Sequence, residues 1–92
     1  MIPSLGRIVI YNTTEAERTE MEAVNKAKGK QMCNIQQQLP ALIVAVWNNN
    51  GELATEGTVV NLQVMMDGHG CMWKTSVHQG GEPGQWMEPK RV

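Results

Sequence analysis

The chain has 92 residues, of which 41% are hydrophobic and 18% charged, so it has room for one core and is not disordered throughout. A formal net charge of −1 and a pI near 6.1 exclude a basic, general nucleic-acid coat. With three Trp, one Tyr and no Phe, the interior must be filled by aliphatic residues and by seven Met, whose side chains adapt to irregular gaps.

No apolar run approaches bilayer length, and Met1-Ile2-Pro3-Ser4-Leu5-Gly6-Arg7 has neither the charged nor the apolar region of a signal peptide. No membrane association is expected, and the expected location is the cytoplasm, which for a viral protein is the host's. Cys33 and Cys71 form no CxxC pair and read as free thiols, Cys71 packed in a strand.

Residues 6–11 (Gly-Arg-Ile-Val-Ile-Tyr) predict a first strand. Thr14-Glu15-Ala16-Glu17 reads as a capping box that opens a helix over residues 14–29, closed by Gly29. Its acids come first and Lys26 and Lys28 last, which suits the macrodipole. The apolar stripe is thin (Ala16, Ala23, Val24, Ala27), so a surface helix that adds little to the core is expected. A polar, Gln-rich connector over residues 30–39 follows.

Pro40 introduces Ala41 to Trp47, a nearly continuous apolar run expected to be covered on both faces. Asn48-Asn49-Asn50-Gly51 is a turn signal. Thr58 to Met66 and Cys71 to Val77 flank Asp67-Gly68-His69-Gly70 as a hairpin. Either plausible loop places Val60, Leu62, Val64 and Met66 with Cys71, Trp73, Thr75 and Val77 on the core face. Asn61, Gln63, Met65, Met72, Lys74 and Ser76 then take the wetter face. The tail's Gly/Pro turn delivers Trp86 and a short strand. One domain over residues 1–92 results, mainly β: a small SH3-like antiparallel barrel or roll with the helix inserted after the first strand.

Catalytic chemistry is poorly represented. His69, Cys71, His78 and Cys33 match no usual zinc spacing. Ser76 and His78 share a strand face without an acid to orient the base, and the glycines form no phosphate loop. Neither an enzyme nor a bound metal or cofactor is expected. The aromatic residues suggest binding instead. Trp47 and Trp73 lie on apolar strand faces and read as core. Trp86, among Gly, Gln, Glu and Pro, is the one expected to face a pocket or a partner. A base-plus-phosphate ligand wants stacking, hydrogen bonds and cations. Trp86 and Tyr11 would supply the first, Thr75 and Ser76 the second, and Arg7, Lys74 and Arg91 the third.

The segments Gly6-Arg7-Ile8-Val9-Ile10-Tyr11, Asn61-Leu62-Gln63-Val64-Met65-Met66-Asp67-Gly68, Trp73-Lys74-Thr75-Ser76 and Pro83-Gly84-Gln85-Trp86-Met87-Glu88-Pro89 form one frame. It resembles small accessory proteins of tailed bacteriophages with the pattern G-R-x-V-x-Y, N-x-Q-V-x-x-D-G, W-x-T-S and P-G-x-W-x-x-P. Ile10 stands where the resemblance leads one to expect His, and residues 13–39 lie outside the match. The resemblance implies a phage product, and short phage genes of this kind often counter host defences. The expectation is a homo-oligomer that sequesters a nucleotide-derived immune signal without cleaving it. The rivals are a protein–protein inhibitor of a host defence complex or nuclease, using the acidic helix face (Glu15, Glu17, Glu20, Glu22), and a minor virion or assembly component.

Overall fold

The structure is a computed structural model and describes residues 2–29, 33–47, 58–68 and 70–89. The elements run β1 (Ile8–Asn12), α1 (Glu15–Lys28), β2 (Cys33–Asn34), β3 (Gln38–Val46), β4 (Val60–Met65), β5 (Asp67–Gly68), β6 (Cys71–Val77) and β7 (Trp86–Met87). The protein is mainly β. Five strands pair antiparallel in the order β6-β4-β3-β1-β7, while β2 and β5 make a separate small ladder.

Beyond β6 the chain turns back on β7. Gln79 bridges Trp86 in parallel, Trp86 N donates to His78 O at 3.0 Å, and Gly80 N donates to Trp86 O at 2.8 Å. β7 is thus bonded to β1 on one side and to the continuation of β6 on the other, which bends the sheet strongly. The turn that makes this possible is Glu82-Pro83-Gly84-Gln85. Pro83 sets φ at the second position, Gly84 takes φ 82° at the third, and Gln85 N closes on Glu82 O at 3.1 Å. This is a type II turn, and the third position needs glycine.

The core lies between the inner sheet face and α1. Val9, Tyr11, Leu39, Ala41, Ile43, Val60, Leu62, Val64, Val77 and Trp86 are buried there with Met21 of the helix. α1 starts on the full capping box of Thr14 and Glu17 and ends on Gly29 at φ 66°, the left-handed conformation that favours glycine. The helix meets the sheet through Glu17 and Met21, while Ala16, Ala23, Val24 and Ala27 are exposed. The alanine stripe therefore does not mark the buried side. A single long Met reaches the core where short alanines cannot.

The hairpin register and two bulges set strand faces that differ from those expected. Met65, not Met66, stands opposite Cys71, so Val64 pairs with Met72 and Leu62 with Lys74. This one-residue slip turns Cys71, Trp73 and Thr75 outward and brings Met72 and Lys74 in. The register recovers between Leu62 and Val60, where β6 carries one extra residue and Val77 returns to the core. Ser76 adopts φ 54° at this bulge. On the other side of β4, the β3 register shifts between Ile43 and Ala45. This shift brings Val46 inward against the core.

β3 is covered on one face only: Leu42, Val44 and Ala45 are half-buried, and Trp47 is exposed. The strand also begins earlier than expected, with Pro40 inside it opposite Ile10. The missing N–H is tolerated because pairing with β4 starts one residue later, at Ala41. The Asn48–Gly51 turn signal lies outside the described residues. No helix among the described residues is long and apolar enough to cross a membrane.

Candidate functional site

Among the described residues, those expected to bind a ligand do not converge on an open surface: Tyr11, Trp86 and Lys74 come together in the interior, and Arg7, Thr75 and Ser76 stand apart from them. Trp86 is 0% exposed and Tyr11 is 1% exposed, so neither ring is open to stack on a base. Trp86 is core because the type II turn folds the tail back under the sheet. Tyr11 is core because it sits on the inward phase of β1, opposite both Leu39 and Trp86. Lys74 faces inward and lies 2.6 Å from Glu17 Oε2, so its charge is already matched. Arg7, Thr75 and Ser76 are exposed, but Arg7 precedes β1 while the other two lie on β6, with β3 and β4 between. Arg91 lies outside the described residues, as does His69. Cys71 is an exposed free thiol that donates to Gln63 Oε1 at 3.2 Å, so it is not packed in the core.

Glu17 is the hub of the inner polar network. Its carboxylate accepts the Tyr11 hydroxyl at 2.8 and 3.0 Å and the Thr14 N–H at 2.8 Å, besides the Lys74 ammonium. Burial opposes ionisation of Glu17, but Lys74, the Thr14 N–H and the Tyr11 hydroxyl together outweigh it and lower the pKa. The same burial, together with Glu17, pushes the Tyr11 pKa well above its ordinary range. These groups hold helix to sheet, with Tyr11 and Glu17 buried and Lys74 half-buried.

The open concavity lies elsewhere. A groove of about 780 Å³ runs between the β1–α1 junction, the segment leading into β3 and the turn before β7. Asn12, Thr13 and Arg18 form one wall, Ile35, Gln36, Gln37 and Gln38 the second, and Gly81 and Pro83 the rim. Its frame is built from hydrogen bonds. Thr13 N donates to Gln37 O at 2.9 Å, and the Thr13 hydroxyl donates to Gln36 O at 2.8 Å. Asn12 Nδ2 donates to Gln85 O at 3.0 Å, and its Oδ1 accepts from Gln38 Nε2 at 3.1 Å.

Among the described residues, one cation belongs to the groove. Arg18 Nη1 donates to Thr13 O and Thr13 Oγ1 at 2.8 and 2.9 Å, which fixes the guanidinium. Its remaining N–H groups, and the side-chain amides of Gln36 and Gln37, make no hydrogen bond among the described residues. The groove can therefore offer amide donors and acceptors and one oriented positive charge.

The groove is not legible in the sequence, where the helix reads as a solvated surface and the Gln-rich segment as a connector. The run Gln36-Gln37-Gln38 next to Asn12-Thr13 was the available signal, but it becomes a site only through the β1–β3 register that pairs Asn12 with Gln38. No protein-family model matches the chain, and no curated protein or solved structure matches it either.

Proposed function

We propose that this chain is a binding protein that acts by occupancy, without turnover, and that its ligand is a small, nucleotide-like anion held in the Arg18 groove. The carrying observation is that a fixed guanidinium and the exposed Gln36 and Gln37, whose side-chain amides make no hydrogen bond among the described residues, line one open concavity. Guanidinium groups pair with phosphate oxygens through parallel N–H bonds, and Gln amides match the donor–acceptor edge of a purine. The setting the sequence resemblance implies is a tailed-phage product in the host cytoplasm, where sequestering a nucleotide-derived immune signal counters host defence. The fold that carries the groove is read as an SH3-like roll with α1 inserted after its first strand.

The rival that uses the acidic helix face as a nucleic-acid mimic is weakened by one observation. Glu17 is 8% exposed and engaged with Lys74 and Tyr11, which leaves Glu15, Glu20 and Glu22 at the surface.

Calorimetric titration with mononucleotides and cyclic dinucleotides tests the reading. Binding is expected for at least one phosphorylated nucleoside and not for the bare nucleoside. Arg18→Ala should weaken it about tenfold or more, the loss of a charge-assisted hydrogen bond. The bound ligand should be recovered intact after heat denaturation. Recovery of cleaved products would replace the binding reading with an enzymatic one, and equal affinity in Arg18→Ala would move the site out of the groove.

A further inference from the structure

We infer that the outer face of the five-stranded sheet, opposite α1, is a self-association surface on which a second copy of this chain docks face to face. This surface is separate from the groove. β1, β3, β4, β6 and β7 contain one charged residue, Lys74. It points to the helix side, where Glu17 neutralises it. The strand positions of the outer face therefore carry no charge. One row across the sheet reads Ile8, Leu42, Gln63 and Trp73, about 14 Å wide at ordinary strand spacing. Trp47 is fixed beside this row, because its indole N–H is bonded to Asn61 Oδ1 at 2.9 Å.

The exposures are large for apolar residues. Trp73 is 63% exposed, Trp47 56%, Ile8 44% and Met65 37%. The two indoles together leave about 250 Å² of aromatic surface open. With Ile8, Met65 and the half-buried Leu42, the patch reaches the range of about 300–600 Å² that commonly marks a functional surface on a monomer. Doubled about a twofold axis, with Gln63 and Thr75 among its polar contacts, it approaches the roughly 1,200 Å² at the lower end of specific interfaces.

The chemistry selects the occupant. A partner with charges on its docking surface would bury them here with nothing to pair against. A second copy of a face uncharged at its strand positions strands none there, and a twofold contact requires only self-complementarity. Sheet-on-sheet packing at about 10 Å would also give this face the covering layer that α1 gives the other. Edge-to-edge addition along β6 is disfavoured, because its bulge at Ser76 and its inward Lys74 are features that protect an exposed edge.

Sedimentation of the full chain is the test, from about 1 to about 200 µM, bracketing the micromolar affinity of a small interface. The mass is expected to rise with concentration from 10.2 kDa to twice that value. Trp73→Arg should raise the dissociation constant at least about tenfold while circular dichroism stays unchanged. Glu20→Arg, on the exposed side of α1, should leave the dimer intact. If Trp73→Arg loses the folded signal, Met65→Lys gives the same reading from the neighbouring row. A wild-type mass of 10.2 kDa throughout, a folded Trp73→Arg or Met65→Lys that dimerises like wild type, or dissociation by Glu20→Arg would overturn the proposal.

Discussion

Lys74, on the edge strand β6, lies 2.6 Å from the Glu17 carboxylate of α1, and with the Tyr11 hydroxyl this pair joins helix to sheet. Glu17 has a folded pKa below its ordinary value of 4.5, so the unfolded chain takes up the proton first as pH falls. The contribution is complete above that ordinary value and is lost as pH drops through the folded one. Tyr11 works in the opposite sense. Its raised pKa gives a contribution that is complete below 10.0 and lost on strong alkalinisation. Thermal melts should therefore fall below about pH 4.5 and again above about pH 10. Glu17→Gln should lower stability at neutral pH by about 1.5–3 kcal/mol, because it removes hydrogen bonds made by a charged acceptor. It should also flatten the acid limb. An unchanged acid limb in Glu17→Gln would assign that limb to other carboxylates.

The N-cap shares Glu17 with this network, but the bond to the Thr14 side chain can be removed by itself. Thr14 Oγ1 accepts the Glu17 N–H at 3.1 Å, so Thr14→Ala should cost about 0.5–2 kcal/mol. Thr14→Ser, which keeps the oxygen, should cost much less. At the other end Gly29 sits at φ 66° with open space where a Cβ would lie, so Gly29→Ala strains the backbone alone and should cost about 1 kcal/mol. Urea denaturation of the three variants, with unchanged m-values, is the check. A neutral Thr14→Ala would mean that α1 is held by its packing on the sheet and not by its cap.

Trp86 is buried, and its Nε1 has no hydrogen-bond partner among the described residues. Two costs are therefore superposed in the native state, a large ring to replace and an orphaned donor to hold. Trp86→Ala should cost about 3–5 kcal/mol, enough to unfold a marginal domain. Trp86→Phe loses less volume and removes the orphan, whose desolvation costs about 1–3 kcal/mol, so it should be far milder. Chemical denaturation of the two variants separates these terms. Near-equal destabilisation would mean that ring shape outweighs the unpaired N–H.

These same residues show what could be read in the sequence and what could not. The capping box of Thr14 and Glu17 is local chemistry, and the helix starts where those residues stand. β-branched runs marked the strands for the same reason. The faces of β6 were not legible, since alternation gives a period and not a phase, and one slipped residue inverts every side chain until Ser76 restores the register. That slip exchanged Trp73 for Lys74 at the helix-facing surface. Trp86 was misread because its Gly, Pro and Gln neighbours look solvated, although the turn they form tucks the ring beneath the sheet. The groove was invisible because Asn12 and Gln38 meet only through strand pairing.

Asn61 lies between the two bulges and is the polar residue that reconciles them. It is 7% exposed, and its Oδ1 accepts both the Trp47 indole N–H at 2.9 Å and the Ser76 backbone N–H at 3.0 Å. One oxygen thus fixes the end of β3 and the strained residue of β6 at the level where both registers shift. Asn61→Leu fills the space but strands two donors, one of them the backbone N–H of a residue at φ 54°. The expected cost is about 2–4 kcal/mol for two unmade bonds, with Trp47 fluorescence shifted to the red as its indole is freed. Asn61→Asp keeps the acceptor, so it should retain the Trp47 emission and most of the stability at neutral pH. Ser76→Gly should raise stability by about 0.5–1 kcal/mol, because glycine adopts the left-handed conformation without strain. It should also reduce the penalty of Asn61→Leu in the double variant, since the unpaired N–H would sit on a less strained backbone. Strict additivity of the two substitutions in urea denaturation would show that Asn61 and the bulge are energetically independent, and that the shared oxygen does not couple the two register shifts.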